Sequence, residues 1–197
     1  MRVLNRALIV FTSVLPLNLF CFLGGENALF TALAVAIHEC AHLVALRLLK
    51  GRIVSFHVAP FGLCIDYDAE SLSLLGELFV CASGSLANLI TAVISFTCYA
   101  VFRVDFIAFG IVSAALGLMN LLPIYPLDGY RVVRILLSLF TSPFAASRIA
   151  FLISCVCGFA FFCASSYLLL TSVSGIYPLL FSVYMFSVNS KIAGESI

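Results

Sequence analysis

The sequence predicts an all-α polytopic membrane protein with about six transmembrane helices and a small β-hairpin between the second and third of them. Of its 197 residues, 63% are hydrophobic and only 10% are charged, whereas about a quarter of the residues in soluble domains are charged. The mean hydropathy is +1.21. A net charge of +1 argues against a nucleic-acid partner, so we expect the lipid bilayer to be the main surrounding of the chain.

Apolar runs of roughly the length that crosses a bilayer recur along the chain. The six runs are Ala7–Leu23, Ala28–Leu49, Leu78–Phe102, Phe106–Leu122, Ile149–Thr171 and Gly175–Asn189. We expect a single domain over residues 1–197, with a core at 28–140 and a C-terminal helical pair at 149–190. Two arginines precede the first run as in a signal peptide, but no clear cleavage site follows, so we expect a retained anchor.

The basic residues predict how the spans are oriented. With six spans, nine of the ten Lys and Arg residues fall on one side of the membrane, and only Arg103 falls on the other. The nine are Arg2, Arg6, Arg47, Lys50, Arg52, Arg131, Arg134, Arg148 and Lys191. Because basic residues concentrate in cytoplasmic loops, we expect an integral, multi-pass protein of a bacterial cell membrane with both termini in the cytoplasm.

Two segments between the spans have their own patterns. Ile53–Val58 and Phe61–Tyr67 are rich in β-branched and aromatic residues and are separated by Pro60, which favours a β-hairpin over the alternative of a plain connecting loop. Residues 130–140 place Arg131 and Arg134 among aliphatic side chains, which predicts a short helix at the membrane interface.

The second apolar run contains the sequence His38-Glu39-Cys40-Ala41-His42. A spacing of four places both histidines on one face of a helix, where they can bind one metal ion, and Glu39 is offset as a general base would be. Ionisable groups within a membrane span are costly and usually functional. The alternative is that these are buried polar residues satisfied by neighbouring helices. His42 lies about 10 Å from Leu49, at 1.5 Å per residue, so the site is expected in the cytoplasmic half.

A catalytic zinc ion takes three protein ligands and keeps a fourth position open, so a third ligand is needed. Asp128 is the best candidate among the nine carboxylates. It follows Pro123 and Pro126, which prevent a regular helix, and irregular backbone near the membrane survives only when it is buried in protein or lines a wet cavity. The alternative is an ordinary turn aspartate before Gly129. We therefore predict one Zn²⁺ per chain.

Three motifs together resemble those of a known family. They are His38-Glu39-Cys40-Ala41-His42, Gly84-Ser85-Leu86-Ala87-Asn88, and Asn120 followed by Pro123, Pro126, Leu127, Asp128 and Gly129. They are similar to the motifs of the site-2 protease family of intramembrane zinc metalloproteases, over residues 28–140. The six-span layout is similar to the sporulation branch, which cleaves a membrane-tethered pro-sigma factor, although we do not expect that branch's C-terminal nucleotide-sensing domain here.

The resemblance implies a function and roles for individual residues. It implies an endopeptidase that cleaves a membrane-spanning or membrane-tethered protein, with a regulatory membrane partner as a further expectation. His38, His42 and Asp128 would bind the metal, Glu39 would be the catalytic base, and Asn120 would hold the substrate backbone or the developing oxyanion. Strand addition predicts that a substrate lies along Phe61, Gly62, Leu63, Cys64 and Ile65. Gly84 and Asn88 are interpreted as helix-packing residues.

Two functions from other classes remain open at this point. A non-catalytic zinc-binding scaffold would need a closed site with four ligands, and no fourth ligand is evident near the motif. A small proton-coupled transporter could use His38, Glu39 and His42 as a proton relay, but this gives no role to Asp128.

Overall fold

The computed structural model describes residues 6–10, 28–59, 62–68, 71–104, 106–171 and 176–195. The described helices are α1 (Ala28–Leu48), α2 (Leu74–Phe102), α3 (Ile107–Asn120), α4 (Asp128–Ser138), α5 (Pro143–Thr171) and α6 (Ile176–Glu195). The described strands are β1 (Arg6–Val10), β2 (Ile53–Ala59) and β3 (Gly62–Asp68), which form an antiparallel sheet in the order β1-β3-β2. The prediction of a mainly helical protein is confirmed.

Three of the described helices, α1, α2 and α5, are long and apolar enough to cross a membrane. The polarity of α2 is that of a membrane helix, since apolar side chains such as Ile90, Val93 and Ile94 are exposed. Polar side chains of the same helix, including Ser85 and Asn88, are fully buried. Polar and small residues are the ones that membrane helices use to pack against each other. The chain is therefore an integral membrane protein.

Helix α2 is at the centre of the helical packing, because it contacts α1, α3 and α4. Its first turn is capped by Ser73, whose side chain accepts a hydrogen bond of 3.1 Å from the Gly76 N–H. Such a cap satisfies one of the free N–H groups at a helix start. The helix ends at Arg103, which adopts a left-handed conformation with φ 56° and donates its N–H to Tyr99 O. These two caps define where α2 begins and ends, and α2 is the helix that packs against the candidate site.

The prediction of a first membrane span at Ala7–Leu23 is wrong for its first residues. Arg6–Val10 forms β1, which pairs antiparallel with residues 64–68 of β3. A short apolar run fits a strand as well as a helix by composition alone, and here the pairing with β3 decides the outcome. The rest of that predicted span lies outside the described residues. Where the sequence predicted a small two-stranded β-hairpin, the described residues form a three-stranded sheet that also includes β1.

β3 is the middle strand of the sheet, so most of its residues already pair with a neighbouring strand on each side. It pairs with β1 over residues 64–68 and with β2 over residues 62–67. Strand addition at Cys64 and Ile65, as the sequence predicted, would need an edge that β1 already occupies. Within the described residues, Gly62 and Leu63 pair with β2 only. Phe61 lies outside the described residues.

A sharp break joins α3 to α4 and places Asp128 in the first turn of a new helix. The break is fastened to α5, because the Tyr125 N–H donates a hydrogen bond of 2.9 Å to Ser154 Oγ. Gly129 packs directly against the backbone carbonyl groups of Leu121 and Leu122, where a β-carbon would collide with them. Only glycine permits so close an approach of two backbone segments. The Asp128-Gly129 pair thus folds back on the end of α3.

Candidate metal centre

Helix α1 presents His38 and His42 side by side. Both side chains are buried, their ring centroids are 4.8 Å apart with an interplanar angle of 80°, and their Nε2 atoms are 3.2 Å apart. Two imidazole nitrogens at this distance cannot both carry a proton without bringing two N–H groups against each other. A pair of lone-pair donors held this close is suited to binding a cation.

Asp128 completes a triangle of ligand atoms. Its Oδ2 lies 3.1 Å from His38 Nε2 and 3.2 Å from His42 Nε2. A tetrahedral zinc ion with ligand bonds of about 2.0–2.1 Å requires its ligand atoms to be roughly 3.3–3.4 Å apart. The three side chains are therefore spaced as one face of a zinc tetrahedron, and they fit the metal that the sequence predicted.

Asp128 is held in the charged form that a metal ligand needs. Burial by itself would raise the pKa of its carboxyl group. The electrostatic interaction with His42 and the contacts with both histidines outweigh burial and bring this pKa well below its usual value. An ionised carboxylate is the form that coordinates a metal ion.

Within the described residues, the group able to hold a metal consists of His38, His42 and Asp128. Glu39 is half-buried and interacts electrostatically with His42 and Asp128, yet it is not part of this group. Cys40 is exposed, so it does not face the triangle. Three ligands with a separate carboxylate beside them match a catalytic zinc site, which keeps one position open, better than a closed structural site.

Helix α2 contributes residues that the sequence analysis assigned to helix packing. A β-carbon on Gly84 would lie 2.7 Å from His38 Nε2 and closer still to His42 Nε2. One turn later, Asn88 places its side-chain amide 3.4 Å from His38 Nδ1. The spacing of four between Gly84 and Asn88 was the available signal that both lie on one helix face. That face covers the histidines.

The outer nitrogen of His42 is also fixed by α2. His42 Nδ1 lies 2.7 Å from Val80 O and 3.3 Å from Ser83 Oγ, and the Ser83 hydroxyl donates to the same carbonyl at 2.7 Å. A hydrogen bond from Nδ1–H to a carbonyl sets the tautomer that leaves Nε2 free for a metal. Neither Val80 nor Ser83 was predicted from the sequence, since nothing in the local pattern shows which α2 residues face His42.

The comparisons with known proteins agree with this geometry. The family model for peptidase family M50 matches residues 100–164, a segment that contains Asn120 and Asp128. A solved structure, the site-2 protease from Methanocaldococcus jannaschii, has a similar fold with a TM-score of 0.54 at 18% sequence identity. The similarity covers 89% of this chain and 87% of that one. No curated protein sequence matches the chain.

The predicted resemblance to the site-2 protease family is confirmed. The family match covers residues 100–164, and the structural match is one of fold. The matched segment begins after His38–His42, so the contribution of α1 to the candidate site is seen in the geometry of the triangle rather than in the family match.

Other residues predicted for the site are described by contacts outside the metal triangle. Asn120 is buried at the end of α3, and its amide nitrogen donates a hydrogen bond of 3.1 Å to Leu116 O in the same helix. Gly62, Leu63, Cys64 and Ile65 lie in β3, described by their backbone pairing. These positions are not joined to the metal triangle by a described hydrogen bond, so their roles in binding a substrate stay predictions.

Proposed function

We propose that this chain is an intramembrane zinc endopeptidase with one Zn²⁺ per chain, which cleaves membrane-embedded or membrane-tethered proteins. The observation that carries the proposal is the triangle of His38 Nε2, His42 Nε2 and Asp128 Oδ2, with sides of 3.1–3.2 Å, placed in a membrane helix beside Glu39. Regulated intramembrane proteolysis, of a pro-sigma factor or another tethered regulator, is the process that this site would serve.

The protein residues divide the chemistry among them. Bound at the triangle, zinc supplies Lewis-acid activation of water and of a peptide carbonyl. Glu39 takes the proton of the attacking water and delivers it to the leaving amide nitrogen, as a general base and then a general acid. Its position next to His38 in the sequence, on the helix that carries both histidine ligands, suits this transfer. Asn120 is proposed to orient the substrate backbone or the oxygen on which charge develops.

The sheet is proposed to hold the substrate in an extended form. A peptide bond in a helix is shielded by its own hydrogen bonds, so the substrate must unwind before cleavage. Gly62 and Leu63, which pair with β2 but not with β1 in the described residues, are the positions of β3 most suited to take up a substrate strand. Phe61, Cys64 and Ile65 complete the proposed segment, and at the last two a substrate strand would take the place of β1.

We propose six membrane spans with both termini in the cytoplasm. The described basic residues support this, because Arg131 and Arg134 of α4 lie close to the sheet and to the start of α2. The Arg131 guanidinium lies 6.0 Å from the ring centre of Tyr67, and Arg134 is 3.7 Å from Glu77. Arg103 lies at the other end of α2, as its C-cap. This asymmetry supports a metal centre nearer the cytoplasmic side.

The alternatives from the sequence are not favoured by the site. A zinc-binding scaffold would need a fourth protein ligand, and the described group has three. A transporter with a proton relay would not need Asp128 Oδ2 to contact both histidines.

The experiment that tests the proposal is co-expression of the chain with candidate membrane-tethered substrates, for the wild type and for Glu39→Gln. We expect cleavage by the wild type and none by Glu39→Gln, because glutamine keeps the shape of the side chain but cannot accept the proton. Zinc content of the purified proteins, measured by metal analysis, should be about one per chain for both. Cleavage by Glu39→Gln at the wild-type rate would refute the mechanism.

A further inference from the structure

The side chain of Asn88 is buried completely, with its amide turned towards His38. It has no exposed surface, its Nδ2 lies 3.4 Å from His38 Nδ1, and its Oδ1 has no hydrogen-bond partner among the described residues. A buried amide oxygen without a partner loses its hydrogen bonds to water and gains none in return, which is costly. An arrangement in which this oxygen is satisfied is therefore strongly favoured.

The chemistry of a metal site decides which atom of the amide should face His38. His38 directs Nε2 towards Asp128 and His42, so a metal bound there leaves the proton of the neutral imidazole on Nδ1. Nδ1–H is then a donor, and an NH₂ group opposite it would place two donors together. The oxygen and nitrogen of an asparagine amide are assigned by their hydrogen bonds. Rotating the amide by half a turn lets Oδ1 accept from Nδ1–H and gives it the partner it lacks.

His42 shows the same arrangement completed by a backbone group. Its Nδ1 lies 2.7 Å from Val80 O, an acceptor that cannot rotate away. His38 has no such carbonyl in its described contacts, and Asn88 occupies the equivalent position on the neighbouring ring. The two histidines are thus supported by two acceptors from one helix, α2, a backbone carbonyl for His42 and a side-chain amide oxygen for His38.

We infer that Asn88 is a positioning residue that accepts a hydrogen bond from His38 Nδ1–H and thereby holds His38 in the tautomer that binds the metal through Nε2. The inference rests on the proposed zinc site and adds a residue to it. It differs from a role in helix packing, which requires an amide of suitable size and does not require an acceptor opposite His38.

The test compares Asn88→Leu with Asn88→Asp in the purified full-length chain. Leucine keeps the volume but removes the acceptor, whereas aspartate keeps an acceptor at the same place. Zinc affinity is measured by competition with a chelator, and the absorption spectrum of the Co²⁺-loaded protein reports the ligand geometry. We expect Asn88→Leu to bind zinc about 10–100-fold more weakly, as loss of an outer partner of a histidine ligand does. Asn88→Asp should keep the affinity within a few-fold and keep the Co²⁺ spectrum.

A packing role predicts the opposite order, because leucine packs well between membrane helices and a buried carboxylate does not. Wild-type affinity in Asn88→Leu, or an equal loss in both variants, would overturn the inference. If Asn88→Leu does not fold, Asn88→Asp still decides, since retention supports the acceptor and loss contradicts it. Ser95→Ala is the matched control: Ser95 is buried on α2 and donates to Thr91 O, so its zinc affinity should be unchanged. A wild-type protein that binds no zinc would instead refute the proposed site itself.

Discussion

Gly84 and His42 approach each other so closely that the place of a β-carbon on Gly84 is already taken by His42 Nε2. Gly84 therefore forms the wall of the metal centre on the side of α2. The closeness also explains how α1 and α2 can bring their axes together at this level, as small residues allow in membrane proteins.

Replacing Gly84 with alanine should disturb the metal centre. The added methyl group would lie 2.7 Å from His38 Nε2, so the ligand nitrogens must move, and overpacking of this kind costs about 1–3 kcal/mol. We expect zinc affinity to fall by at least ~10-fold, with cleavage falling in parallel. The control is Gly158→Ala in α5, where the nearest atom to the new methyl group would be 3.9 Å away. Equal affinities of the two variants would contradict the close contact.

Replacing Asp128 with asparagine should remove most of the bound zinc. The change keeps the shape of the side chain but removes the charge that the two histidines surround. The loss of affinity should exceed the roughly 100-fold upper limit for loss of an outer partner, measured by chelator competition. Glu77→Gln changes another buried carboxylate, which contacts Tyr67 and Arg134 instead, and should leave the affinity unchanged. Full zinc retention by Asp128→Asn would show that the third ligand is another residue.

Replacing Leu63 with proline should impair cleavage without loss of zinc. Proline removes a backbone donor from β3, at a position that pairs with Val58 of β2, whereas valine suits a strand. We expect a strong loss of cleavage in Leu63→Pro and a mild effect in Leu63→Val, with about one zinc in each. The same activity in both metallated, folded variants would remove strand addition from the mechanism and leave the metal chemistry standing.

The proposed sidedness predicts the behaviour of reporter fusions. A reporter after Ile197, or one inserted near Asp68, should report the cytoplasm, and one near Glu26 should report the outside. The reason is the excess of basic residues on one side, nine against one, which determines orientation. An even number of spans places both termini on the same side of the membrane. An external C-terminus would therefore contradict the combination of six spans and a cytoplasmic N-terminus.

Much of the site could be predicted from the sequence because its residues carry strong local patterns. The spacing of His38 and His42 follows from helix geometry alone, and the two prolines before Asp128 mark a break whose position the structure shares. The helix boundaries followed from apolar length, so α2 starts only four residues before the predicted Leu78.

The remaining features depend on which strands pair and which helix faces pack together, and this cannot be predicted from the sequence of one segment alone. Arg6–Val10 is apolar enough for a helix, and only its pairing with β3 makes it a strand. From the sequence, Gly84 and Asn88 are interpreted as packing residues, because a small residue and an amide one turn apart also suit the packing of membrane helices. Their contacts with His38 and His42 follow from the rotation of α2 relative to α1.

The distance along the chain between the ligands has a consequence for biosynthesis. Asp128 follows His42 by 86 residues and His38 by 90, and it is placed by a break fastened to α5 through Ser154. At a synthesis rate of about 5–20 residues per second, the two histidines emerge from the ribosome roughly 4–18 seconds before the third ligand. During that interval the nascent chain holds only two of the three ligands. The proposed zinc site therefore cannot be complete until the chain has been made at least as far as Asp128.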